Sequence, residues 1–181
     1  MGESVPAKQC LFILVAFSRY QEALEWGVNQ LTSKFGAPLL QSGVLPFNET
    51  TYYTPEMGSD LLIQLTAFNL IDPSTLSAIK NHTNELEVIY KENVTVPEER
   101  PLNLDPGYLN ANKFVLATTK DANHRLYLGD GIYAESTLYF QSAAWQNWSW
   151  TYRNYQRQDH KDFLLTCRKA FLKEIASPST L

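Results

Sequence analysis

Apolar and polar positions alternate along the chain with two periods, one fitting strands and the other helices. Cys10 to Phe17 is a continuous apolar run of strand length, and Ser18 with Gln21 three residues later has the spacing of a helix capping box. Leu24, Val28, Leu31 and Phe35 then recur at helical spacing, and Gly36 and Pro38 supply a stop. Leu39 to Phe47 reads as a strand, Asn48 to Gly58 as a loop, and Leu61 to Phe68 as a second long strand. Asp72-Pro73 is a helix start, because aspartate caps free amides and proline fits the first turn. Leu76, Ile79, Thr83, Leu86 and Tyr90 carry that helix forward, and the polar, proline-containing stretch Lys91 to Pro101 reads as a surface connection.

The second half is strand-rich: Lys113 to Thr119, His124 to Leu128 and Ile132 to Phe140 are separated by polar turns, and a last helix carries Phe163, Leu164, Cys167, Phe171 and Ile175 on one face. Opposed residues of an antiparallel pair share a face, and Leu126, Leu128, Ile132 and Ala134 form the apolar set of the Gly129-Asp130-Gly131 hairpin. A three-residue loop keeps them together, setting Leu128 against Ile132, Tyr127 against Tyr133 and Arg125 against Glu135. The element order predicts one α+β domain over residues 1–181: a ferredoxin-like antiparallel sheet packed on helices, with a C-terminal β-hairpin extension and a final helix.

Composition narrows the function classes. In 181 residues, 15 Lys and Arg face 19 Asp and Glu, a net charge of −4 that lacks the electrostatic footprint of a general nucleic-acid binder. Cys10 and Cys167, far apart in sequence, suit neither a zinc site nor a disulfide framework and read as small buried apolar groups. The Cys10 to Phe17 run is too short for a membrane span and lacks a cleavage site, so the expectation is a cytoplasmic protein, in which the four Asn-x-Ser/Thr tripeptides carry no sugar.

Gly129-Asp130-Gly131-Ile132-Tyr133-Ala134 fits the dinucleotide fingerprint in letters only, since β-branched and aromatic residues follow instead of a helix. There is no G-x-x-x-x-G-K-S/T loop, no G-x-S-x-G elbow and no metal-ligand spacing around His82, His124 or His160, so no metal is assigned and any cofactor is unknown. The positive charge that does cluster is Lys120, His124 and Arg125 at one turn, with Lys113 across the preceding hairpin, a set able to hold a phosphate or carboxylate. In a site for a small anionic ligand, Glu56 or Glu135 would be the base and His124 the acid or proton shuttle, with Asp105, Tyr127 and Tyr133 as further contacts. The plainer readings are a charged hairpin tip for the cluster and a tight turn for Asp105-Pro106-Gly107. Trp145, Trp148 and Trp150, with Tyr152 and Tyr155, either cover the sheet or form an interface, the latter making the chain a non-catalytic module or homodimer.

Pro55-Glu56-Met57-Gly58, Thr83-Asn84-Glu85-Leu86, Asn103 to Leu109, Leu116 to Asp121, His124 to Gly129, Gly131 to Glu135 and Trp150-Thr151-Tyr152 together resemble the signature blocks of domain-of-unknown-function family 4416. The similarity spans nearly the whole chain and implies no established activity or catalytic residue. Some members of that bacterial family are labelled GTP-binding. Where it tends to continue with proline, aspartate and tyrosine after Trp150-Thr151-Tyr152, this chain has Arg153, Asn154 and Tyr155.

Overall fold

The computed structural model describes residues 2–176. Nine strands among them form one antiparallel sheet: β1 (Cys10–Ser18), β2 (Leu40–Gln41), β3 (Leu45–Pro46), β4 (Leu62–Ile71), β5 (Asn103–Leu109), β6 (Lys113–Thr118), β7 (Arg125–Gly129), β8 (Ile132–Gln141) and β9 (Ala144–Asn147). The order is β2-β4-β1-β5-β6-β8-β7, with β3 also on β4 and β9 on β8. Five α-helices accompany it: α1 (Gln21–Phe35), α2 (Thr54–Met57), α3 (Leu76–Asn93), α4 (Arg153–Gln156) and α5 (Gln158–Ala176). The fold is α+β.

β1 is buried along its whole length because both faces of the sheet are covered there, which is why its sequence is a solid apolar run instead of an alternating one. Phe12, Leu14 and Ala16 face α1 and α3 (Leu24, Leu31, Ile79, Leu86), while Leu11, Ile13, Val15 and Phe17 face α5 (Leu164, Cys167, Phe171). Both thiols are free and buried, and burial pushes that of Cys167 up to about 12, so neither is a reactive centre.

Several expectations need correction. Ser18 is not a cap of α1: its buried hydroxyl donates to the Pro101 carbonyl and accepts from the Tyr20 amide, and the helix starts at Gln21. Leu39 to Phe47 does not form one strand but two short edge strands either side of Ser42, whose amide still reaches the Leu65 carbonyl. The Lys91 to Pro101 connection is not wholly superficial, since Glu98 is buried beneath Arg19 and Tyr20, both of which donate to it.

The β7–β8 register pairs Arg125 with Glu135 and Tyr127 with Tyr133, as face matching requires, but Ile132 opposes Gly129 and not Leu128. The connection is a two-residue turn, Asp130-Gly131, whose φ values of 54° and 77° are the positive pair of a type I′ turn. A bulge at Leu128 absorbs the change of face. Ile132 is buried, yet Leu126 and Leu128 are exposed, because β7 is the sheet's last strand and α3 meets this hairpin only near its tip, where Asn81 donates to the Asp130 carbonyl.

The largest departure concerns Asp105-Pro106-Gly107, which is no turn but the middle of β5. β5 pairs with β1 from Asn103 to Leu109, whereas its ladder with β6 covers only Gly107↔Leu116 to Leu109↔Phe114. The Asn110 amide bonds the Lys113 carbonyl, so by alternation the even-numbered residues of β5 aim their backbone groups at β6. Pro106 is the next such position and has no N–H to give. Beyond it the two strands part. Leu104, the following position, is served from α3 instead: its amide donates to Glu87 at 2.7 Å and its carbonyl accepts from the Lys80 ammonium at 2.8 Å.

Candidate functional site

The parting of β5 and β6 opens a cavity of about 770 Å³ on the α5 face of the sheet. Asn103 and Asp105 of β5 line one side, Leu116 to Lys120 the other, and Glu135 and Arg125 stand beyond β6. The loop 47–53 and the segment 152–155 wall the mouth, and Arg157 ties them together by donating to the Pro46 carbonyl and to Glu49. Segment 152–155 is fixed from behind by His160, a buried residue on α5 bonded to the Asn154 carbonyl at 2.7 Å.

Lys80 and Glu87 sit on the buried stripe of α3, in step with Leu76, Thr83 and Tyr90, and this brings the Lys80 charge to the cavity floor with the Glu87 carboxylate 3.8 Å from it. Lys80 reaches through the gap to Asp105 at 3.0 Å, and Arg100 bonds Glu87 at 3.0 Å and the Asn103 side-chain oxygen. Burial, together with the nearby Asp105 carboxylate, pushes the phenols of Tyr53 and Tyr155 up, so both are neutral hydroxyls in the wall. Two further tyrosines stand at the mouth with their hydroxyls on cations: Tyr52 accepts from Lys120 at 2.7 Å, and Tyr152 from Arg125 at 3.1 Å.

Five basic side chains, Lys80, Arg100, Lys120, Arg125 and Arg153, line the cavity against three acidic ones, Glu49, Asp105 and Glu135. Lys80 pairs with Asp105, Arg100 with Glu87, Arg125 with Glu135 and Glu49 with Arg157. Among the described residues Lys120 and Arg153 have no carboxylate within salt-bridge distance. The uncompensated charge is thus concentrated at the mouth, in a chain whose net charge is −4.

Of the residues singled out from sequence, Lys120, Arg125, Glu135 and Asp105 come together here. His124 lies just behind, bonded through Nε2 to Glu135 at 3.1 Å and stacked on Trp150, which stacks in turn on Trp148. Three do not join. Glu56 is exposed on α2 in a separate depression with Pro97 to Glu99, which removes it as the base partner of His124. Lys113 begins β6, five residues and roughly 17 Å of extended chain from Thr118. Tyr127 and Tyr133 pack on each other towards the hairpin tip, outside the cavity lining. Trp145 is buried, and Trp148 and Trp150 are half-buried with their indole N–H groups on Ser136, so the aromatic segment covers its own sheet.

Residues 7–171 match the family model described as Domain of unknown function (DUF4416). The chain belongs to that family. No curated protein and no solved structure matches it. In this DUF4416 chain, Arg153 and Asn154 lie in the cavity wall. Among the described residues no helix is long and apolar enough to cross a membrane, and no three His, Cys, Asp or Glu gather as a metal site.

Proposed function

We propose that the cavity between β5 and β6 binds a small ligand carrying an anionic group, held at the mouth by Lys120 and Arg153. The observation that carries this reading is the location of the surplus charge. Every other cation of the lining already has a carboxylate, whereas Lys120 is met only by the Tyr52 hydroxyl. An anion oxygen is a stronger acceptor for an ammonium than a phenol is, and can take its place. The function is binding: Glu135 and Asp105 are each engaged by a cation and are not free as a general base. Two free, buried thiols suit a reducing compartment such as the cytoplasm. The order β2-β4-β1-β5 with α1 and α3 as crossovers suits a ferredoxin-like half, to which β6 to β9 are an extension carrying the other wall of the site.

Isothermal titration of inorganic phosphate and phenyl phosphate tests the proposal. Each of Lys120→Ala and Arg153→Ala is expected to weaken binding by about tenfold, the size of one charge-assisted hydrogen bond, with stability unchanged to within about 0.5 kcal/mol. Equal affinities in wild type and double variant would overturn it.

A homodimer is the second reading, now favoured by the β7 edge instead of the aromatic segment. Leu126, Tyr127 and Leu128 are 73%, 62% and 42% exposed on the last strand of the sheet. Unprotected edges of this kind pair with other strands. Antiparallel pairing of two copies centred on Tyr127 sets Leu126 against Leu128 and Arg125 against Gly129, with no like charges opposed. Sedimentation equilibrium should find a dimer that Leu126→Lys converts to monomer. A wild-type monomer at high micromolar concentration disposes of this reading.

A further inference from the structure

The floor of the cavity carries a feature that the charges at its mouth do not explain. Asn103 is 2% exposed and lines the floor, and its Nδ2 is buried with no hydrogen-bond partner. Buried amide N–H groups are nearly always satisfied, so an unpaired buried donor on a residue that lines a cavity marks a place for an acceptor. The orientation of this donor is fixed. Arg100, gripped through Nε and Nη2 by Glu87, donates to the Asn103 Oδ1, so the amide cannot exchange the places of its oxygen and nitrogen without breaking that bond.

The surrounding charge says what kind of acceptor fits. At the floor Lys80 is matched by Asp105 and Arg100 by Glu87, leaving no surplus to neutralise a second anion. The walls between floor and mouth include the rings of Phe17, Phe47, Tyr53 and Tyr155. Resting on the anion reading above, we infer that the ligand is bipolar: an anionic head at Lys120 and Arg153, a ring or other apolar middle, and at the far end an uncharged acceptor oxygen, of carbonyl type, received by the Asn103 Nδ2. Asn103 is then the residue that selects among anions of similar size.

The test uses aryl phosphates on the full chain: 3- and 4-acetylphenyl phosphate, each against the ethylphenyl phosphate of the same shape. By titration calorimetry one acetyl compound should bind about tenfold more tightly than its ethyl counterpart, the value of one hydrogen bond to an otherwise unpaired donor. Asn103→Asp keeps an oxygen for Arg100 but removes the donor, and should abolish the preference. Asn103→Leu provides the same comparison if the aspartate variant folds poorly. Equal binding of acetyl and ethyl compounds to wild type, or a preference that survives in both variants, overturns the role of Asn103. In that event, ethylphenyl phosphate binding still sensitive to Lys120→Ala leaves the anion site standing. If no aryl phosphate binds, the anion reading itself falls, and this one with it.

Discussion

Gly107→Ala should cost about 3 kcal/mol or more, read as a fall in the midpoint of urea unfolding. A Cβ at this position overlaps the carbonyl oxygen of Val115 and crowds the Leu116 side chain. The obstacle on the first side is backbone in the neighbouring strand, not the free end of a side chain, so relief requires β5 and β6 to move apart. Overpacking of a well-filled site costs about 1–3 kcal/mol when side chains can give, and more when they cannot. Gly107↔Leu116 is also the last pair before the strands separate, so any displacement there shortens an already brief ladder. A variant as stable as wild type would mean that the approach of the two strands is looser than this geometry.

Glu135→Ala has the second large effect, a loss of about 3–5 kcal/mol, because removing one member of a buried ion pair leaves the other charged and unpaired. The Arg125 and Glu135 side chains are only 7% and 4% exposed, with Nε and Oε2 3.0 Å apart. Burial alone would pull the Arg125 guanidinium down, but the bond to Glu135 and its charge hold it above the ordinary arginine value. Face matching on the hairpin predicts this salt bridge, which as a solvated pair would be worth only about 0–1 kcal/mol. Segment 152–155 folds over it, with the Tyr152 hydroxyl on Arg125. Replacing both residues, as Arg125→Met with Glu135→Leu, should recover much of the loss because no unpaired charge remains. If Glu135→Ala costs under about 1 kcal/mol, the pair behaves as an exposed one.

What the sequence made legible follows from the range of the interactions concerned. α1, α3 and the β7–β8 register rest on local periodicity and on neighbours in a hairpin, and those signals are strong. The site rests on pairings that span the chain. Asp105-Pro106-Gly107 has the composition of a turn, and only its position between β1 and β6 makes it strand, with proline at the point where pairing stops and glycine where backbones meet. Lys80 and Glu87 could have been noticed as charges on the buried stripe of α3, though nothing local says that they serve the backbone of Leu104. Arg100 and Arg153 belong to no motif, and the family block that Asn103 opens assigns it no role. Their grouping comes from the walls that loop 47–53 and segment 152–155 bring to the cavity.

The brief β5–β6 ladder also has a mechanical side. The sheet is in effect two panels, β2-β4-β1-β5 and β6-β8-β7, sewn together over three residue pairs at one end and unsewn at the other. Their relative tilt sets the width of the cavity. A molecule held by Asn103 on one panel and Lys120 on the other spans the unsewn part, and stiffens the sheet along the line where backbone pairing leaves it weakest.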